Sequence, residues 1–400
     1  MDGLGIERYI EVAGAEVLAN IQKAARRIYG LRVLHVNSTF HGGGVAMMLN
    51  CLIPLMNDVG INADWNLLYG DPGLFPITKK IHNGVQGENV SLTPAEEERY
   101  LSVNETFARY SPIIHDVVVV HDPQPLPMIR YRQRENPWIW RCHIDFSTPN
   151  EQMLSMLKPI ILRYDASVVS SENFQRPGLP LETRIIAPAI DPFSEINQGM
   201  SEEAIEGKLA EHKIPRDKPL IVQVSRFDKW KDPLGVLEVF KRLRKEIDCR
   251  LVMIGNMATD DPEGPQIFED MLLKTQDIDD IHLITQTDPL LVNALQRTAA
   301  VVVQLSRKEG FGLTVSEALW KGTPVVATDV GGIPLQIRDG EMGFLVQPQD
   351  YDAAADRILK ILRDPTLGAE FGGNGKEHVH ANFLMPRLLL DWVELLSEMA

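Results

Sequence analysis

Short apolar runs alternate with amphipathic stretches along the chain, and the alternation occurs as two successive series. In the first, Leu31–Val36, Ile61–Leu68, Asp116–Asp122, Trp138–Asp145 and Ala166–Ser171 have the length and apolar density of buried strands. Gly44–Met56 and the polar segments ending near Tyr110 carry helical spacing between them. A second series begins after Pro192. Its strands are Pro219–Ser225, Cys249–Gly255, Ile281–Thr285, Ala300–Ser306 and Thr323–Thr328, with helices such as Leu234–Lys245 and Leu290–Arg297 in between. Continuous apolar strands separated by helices predict parallel sheets covered on both faces. Two series therefore predict two doubly wound α/β domains, at residues 1–190 and 191–379. The break falls in the proline-rich segment Ala187–Glu195, which shows neither period. The last segment, Pro386–Met399, reads as an amphipathic helix with Leu388, Leu389, Trp392, Leu395 and Leu396 on one stripe.

Length and composition agree with this division. The 400 residues exceed what one core of roughly 150–200 residues needs. Apolar residues make up 44% and charged ones 24%, the balance of a folded globular chain. The net charge of −15 repels phosphates, which argues against nucleic acid and against an anionic membrane as partners. No apolar run approaches the ~20 residues that span a bilayer, and no basic head followed by an apolar stretch marks a signal peptide. The three cysteines, Cys51, Cys142 and Cys249, are far apart. They read as small buried fillers in a reducing compartment, so a cytoplasmic location is expected. A homo-oligomer is compatible with the sequence.

In doubly wound folds, ligands bind beyond the carboxyl ends of the strands, and chemically active residue types cluster at those places. Glu309 and Glu317 flank a bend, Gly310-Phe311-Gly312-Leu313-Thr314, that leads into a helix-like run to Trp320. Glycines let a ligand approach the backbone, and a helix N-terminus attracts phosphate. Thr314-x-x-Glu317 also matches a capping box, so Glu317 has a structural reading beside a functional one. Glu309 precedes the helix and borders glycines, so its structural reading is weaker than its functional one. Arg226 and Lys231 follow the strand ending at Ser225; they suit a diphosphate leaving group or a solvated basic loop. Gly42, Gly43 and Gly44 lie between a strand and a helix and make either an anion nest or a tight turn. His121 with Asp122, and His143 with Asp145, lie at two neighbouring strand ends. Such pairs hold a metal or recognise a polyhydroxyl ligand, and the mixture of Asp and His favours the second. The acids of Thr259–Gly264 and Asp277–Asp280 read as loop formers, and no metal site is expected.

Glu309-x7-Glu317 within EGFGLTVSEAL, preceded by SRFDKWKDP, resembles glycosyltransferase family 4, whose members are retaining, nucleotide-sugar-dependent enzymes of the GT-B fold. HDPQPLP and WRCHIDFS narrow the resemblance to the trehalose branch, its glycosyltransferring synthases and retaining phosphorylases; the short chain favours the synthases. The resemblance spans nearly the whole chain. It implies two Rossmann-like domains facing a cleft, with a final helix, residues 380–400, crossing back to the first. It implies that Glu309 holds donor-sugar hydroxyls, that Glu317 holds the ribose, and that Arg226 and Lys231 clamp the diphosphate. His143 is then placed near the reaction centre, Gly44 near donor and acceptor, and Asp122 with His121 and Asp145 at the acceptor. The partners implied are a nucleotide diphosphate-glucose and glucose, giving α,α-trehalose. No cofactor is required, and Mg²⁺ bound to the nucleotide is left open. Three rival readings remain: phosphorolysis, transfer to another sugar or a lipid acceptor, and a sensor that binds the donor without turnover. The basic cluster Arg130, Arg132 and Arg134 reads as a solvated surface or as a site for a phosphorylated acceptor.

Overall fold

The computed structural model describes residues 5–40, 43–70, 73–133, 135–176, 178–256, 263–285 and 288–400. His41 and Gly42 of the glycine stretch, Arg134 of the basic cluster and Thr259 to Pro262 of the acidic loop lie outside the described residues. The chain divides into two compact units between Ala189 and Ile190, and it returns to the first unit at Met385.

The first unit holds strands β1 (Arg32–Asn37), β2 (Asn62–Leu67), β3 (Val117–His121), β4 (Trp138–Arg141), β5 (Ala166–Val169) and β6 (Glu182–Ile185). They form one parallel sheet in the order β2-β1-β3-β4-β5-β6. Alternate residues of the valine run serve opposite faces. Val117 and Val119 join a core with helices Ala15–Ala25, Gly44–Asp58 and Met385–Met399. Val118 and Val120 join a second core with helices Phe75–Val85, Pro94–Tyr110 and Glu151–Ile161. The closing helix buries Leu388, Leu389, Trp392, Val393 and Leu396 in the first of these cores. Each such side chain contributes about 1.5–3 kcal/mol of burial, so this helix is an integral layer of the first unit.

The second unit holds β7 (Leu220–Val224), β8 (Arg250–Ile254), β9 (Ile281–Ile284), β10 (Val301–Gln304), β11 (Val325–Thr328) and β12 (Gly343–Val346). These are parallel in the order β12-β11-β10-β7-β8-β9. Counted within the unit, this is the dinucleotide-binding order, whereas the first unit extends the flavodoxin-like order. Both sheets are therefore doubly wound, as the two apolar series predict. Each has a switch point where the winding reverses: between β1 and β3 in the first, and between β7 and β10 in the second.

Two strands were not evident in the apolar pattern. β6 has the sequence Glu-Thr-Arg-Ile at a sheet edge and is largely exposed. β12 is a four-residue edge strand beginning at Gly343, whose φ is +154° and where a Cβ would fall 2.2 Å from the Val325 carbonyl oxygen. One apolar run also proved shorter than expected: β4 stops at Arg141, and Cys142 to Asp145 leave the sheet. The backbone N–H of His143 donates to the Asp122 carboxylate at 2.7 Å. All three cysteines are buried and unbridged, and among the described residues no helix is long and apolar enough to cross a membrane.

Candidate active site

The switch point of the second unit gathers the charged residues singled out above. Arg226 lies just beyond β7, and Lys231 closes a short 3-10 turn, Lys229–Lys231, in the same loop. Gly255 makes that exit possible: a Cβ there would fall 1.7 Å from the Ser225 carbonyl oxygen. Glu309 lies beyond β10, and its Oε2 is 2.5 Å from Lys231 Nζ. The same oxygen accepts from Ser306 Oγ at 3.0 Å and Gln304 Nε2 at 3.3 Å. The carboxylate is buried, and Oε1 takes part in none of these bonds. Behind Lys231, its own carbonyl accepts from Gln223 at 2.9 Å. Asp232, next in sequence, is held by Arg307 and Tyr351, each at 2.8 Å. The Arg226 guanidinium is one-third exposed and lies 3.9 Å from Asp228.

Gly310, Phe311 and Gly312 form the expected bend. Gly312 has φ +85° and caps the helix Leu313–Trp320 with no side-chain hydrogen bond. The capping-box reading is therefore overturned. Thr314 lies inside the helix, and its hydroxyl approaches Gln304 Oε1 at 3.4 Å. The left-handed glycine takes the cap two residues before Thr314. Gln336 supports the bend from below, donating to the Phe311 carbonyl and accepting from Ser316 Oγ, both at 2.5 Å. Gly332 packs so tightly that a Cβ would lie 2.8 Å from the Gly310 carbonyl oxygen. Glu317 is buried, and its Oε2 has no hydrogen-bond partner among the described residues. Burial raises its pKa above the ordinary carboxylate value. Burial also holds neighbouring Lys321 below the ordinary lysine value. Lys321 donates to Gln296, Asn197 and the Glu317 carbonyl at 2.8–3.1 Å.

At the switch point of the first unit, Gly44 opens the helix that follows β1, and no side chain caps it. His121 ends β3 and is fully buried, with His35 on one ring nitrogen and His143 on the other, both at 2.9 Å. It is thus not available to touch an acceptor directly. His143 is partly exposed; its Nε2 faces His121, which leaves Nδ1 for a ligand. Asp122 sits at φ +62°, and burial raises its carboxyl to about 7 against the pull of the His143 N–H and Arg141. Asp145 holds the Ser147 N–H and hydroxyl, a turn-forming role. The sequence reading missed His35, a polar residue inside a buried strand, and Arg141, which is 1% exposed with Nε and Nη1 unpartnered among the described residues.

Among the described residues, the one grouping suited to a metal is Glu211, His212 and Asp288. Lys208 already bridges its two acids, at 2.8 and 3.3 Å. Asp280 of the second acidic run accepts from Lys218, Arg244 and Arg250 at 2.7–2.9 Å, a structural ion cluster.

Comparison with known proteins identifies the family and the fold. Residues 35–176 match the model of the trehalose synthase N-terminal domain, and residues 205–378 match that of glycosyl transferases group 1. The chain is 42% identical to the trehalose synthase of Rubrobacter xylanophilus, over 98% of this chain and 96% of that one. It is 38% identical to the trehalose synthase of Pyrococcus horikoshii at the same coverage. A solved α,α-trehalose-phosphate synthase (UDP-forming) from Burkholderia xenovorans superposes with a TM-score of 0.74 at 15% identity, over 92% of this chain and all of that one. The protein is a trehalose-related glycosyltransferase with the GT-B class of fold. It belongs to the trehalose synthase family.

Proposed function

We propose that the protein transfers glucose from a nucleoside diphosphate to the anomeric hydroxyl of free glucose, giving α,α-trehalose with retention. The observation that carries this reading is the Lys231–Glu309 pair at the switch point of the second unit. A cation suits the donor's phosphates, and an acid held by a serine and a glutamine suits its sugar hydroxyls. Arg226 adds a second cation for the diphosphate. Oε2 of Glu317, unpartnered among the described residues, is an acceptor for a ribose hydroxyl, and the helix N-terminus after Gly312, which no side chain caps, offers N–H groups to phosphate. The first unit contributes His143, Asp122 and Gly44 to sugar recognition. No resident cofactor belongs to this reading; any Mg²⁺ belongs to the nucleotide.

In the proposed step, the bond from the anomeric carbon to the diphosphate oxygen breaks as the acceptor oxygen adds to the same face. The acceptor proton passes to the departing phosphate oxygen. Positive charge at Arg226 and Lys231 stabilises the charge that grows there, and the α configuration is kept.

The position of Arg132 supports free glucose over a phosphorylated acceptor. Arg132 donates to the carbonyl of Ser111, which precedes β3 and so lies towards the N-terminal end of that strand. His121 and His143 lie at the opposite ends of the strands. The test compares three pairs: nucleotide-glucose with glucose, nucleotide-glucose with glucose 6-phosphate, and α-glucose 1-phosphate with glucose. Disaccharide mainly from the first supports the proposal. Disaccharide mainly from the second makes the protein a trehalose-phosphate synthase, and mainly from the third a phosphorylase.

A further inference from the structure

The proposed scheme uses only one end of a three-histidine chain. His35 Nδ1 lies 2.9 Å from His121 Nε2, and His121 Nδ1 lies 2.9 Å from His143 Nε2. Ring centroids are 5.2 Å apart at both steps. The rings come from β1, from β3 and from the segment after β4, so the pairing of adjacent strands sets their spacing. Each link between neutral imidazoles needs one proton. Two patterns meet that need in both links. Either every ring carries its proton on Nδ1 and donates towards His143, or every ring carries it on Nε2 and donates towards His35.

The far end decides between them. His35 Nε2 is buried with no hydrogen-bond partner among the described residues, and so is the indole Nε1 of Trp392. The two rings meet edge-on, with centroids 5.8 Å apart and planes at 72°. An indole N–H only donates. A proton on His35 Nε2 would put two unsatisfied donors on touching rings. A bare Nε2 leaves one unsatisfied acceptor in place of a second unsatisfied donor, and an orphaned buried N–H is the costlier defect. His35 therefore carries its proton on Nδ1, as does His121, and His143 Nε2 is the acceptor.

We propose that Trp392, His35 and His121 are positioning residues that fix the tautomer of His143, presenting its Nδ1–H as a hydrogen-bond donor to a sugar oxygen and barring it from acting as a base. Only the word sugar rests on the function proposed above. The surrounding charge agrees. Burial, with the nearby Arg141 guanidinium, holds His121 and His143 well below the ordinary imidazole range, and Asp122 binds the backbone N–H of His143 and not its ring. With its proton on Nδ1 and its Nε2 accepting from His121, His143 has no bare ring nitrogen left to take up a proton from a substrate.

Two-bond proton–nitrogen correlation spectra of full-length protein labelled at histidine nitrogens test this directly, with assignments from single histidine substitutions. Protons on Nδ1 of all three residues are expected; a proton on Nε2 of His143 overturns the proposal. Trp392→Phe keeps a ring in the core and removes the donor, and at least a tenfold shift towards the Nε2–H form of His143 is expected. Unchanged tautomers in that variant remove Trp392 from the chain. For turnover, His121→Phe should lower kcat at least tenfold with KM little changed, and His121→Gln, whose amide can donate to His143 and accept from His35, should recover most of it. Equal losses in both variants with unchanged melting temperature contradict a positioning role. If the wild-type protein forms no disaccharide, the proposed function fails, and the spectra still decide the tautomer.

Discussion

Lys231 Nζ and Glu309 Oε2 meet at 2.5 Å across 78 positions of sequence. Neighbouring strands bring them together: Lys231 follows β7, Glu309 follows β10, and the two strands pair in parallel at the switch point. Only there do loops from adjacent strands diverge to opposite faces and leave room for a ligand. Because each group partly neutralises the other, removing one changes what the other does.

Lys231→Met and Glu309→Gln are each expected to slow turnover by ~10²-fold or more, since both act on charge or hydroxyls in the transition state. The double variant should fall short of the product of the single losses, because the pair acts as a unit. Measured kcat values that multiply cleanly would show two independent residues.

Arg226→Ala should lower kcat by ~10²-fold and also raise KM, because the growing charge on the departing diphosphate is stabilised more than the bound donor. Steady-state kinetics with varied nucleotide-glucose separates the two effects. A change confined to KM would make Arg226 a ground-state phosphate ligand only.

Glu317→Gln should weaken nucleotide-sugar binding by roughly 10- to 100-fold, the worth of a hydrogen bond to a charged group. It should not show the ~0.5–2 kcal/mol loss of a missing helix cap, because Gly312 caps this helix without a side chain. Calorimetric titration and thermal melting check both parts. Normal affinity with lowered stability would contradict the assignment.

Asp122 carries a pH signature. Its carboxyl is raised from 3.8 to about 7 by burial, so the folded state holds a proton that the unfolded chain releases. That contribution is fully present below pH 3.8 and is lost as pH rises to about 7. At 1.36 kcal/mol per unit the loss is on the order of a few kcal/mol. Asp122→Asn keeps an acceptor for the His143 N–H and removes the titration. Its stability relative to wild type should therefore grow between pH 4 and pH 8, as followed by melting temperature. A constant difference across that range would show that Asp122 does not titrate there and would contradict this assignment.

The sheets were legible because a strand buried on both faces must be apolar throughout, and Val117–Val120 is the clearest case. β6 was not, since an exposed edge strand has no such requirement. The charged residues of the second unit stood out because glycines and cations at strand exits have few structural uses. Their supports, Ser306, Gln304 and Gln336, are ordinary polar residues whose role arises only through packing. The capping box at Thr314 and Glu317 had the right spacing, but a glycine that adopts positive φ ends the loop earlier than the motif implies. His35 left a usable signal: a polar side chain within a buried strand must find a partner. Trp392 left none, because its place on an apolar stripe explains it fully until His35 is seen beside it.

The measurement closest to the central claim is NMR of the disaccharide formed from nucleotide-glucose labelled with ¹³C at the anomeric carbon, with unlabelled glucose as acceptor. The account predicts α,α-trehalose with the label in one of its two anomeric positions. A β linkage, or label appearing only as free glucose while the acceptor stays unused, would contradict it.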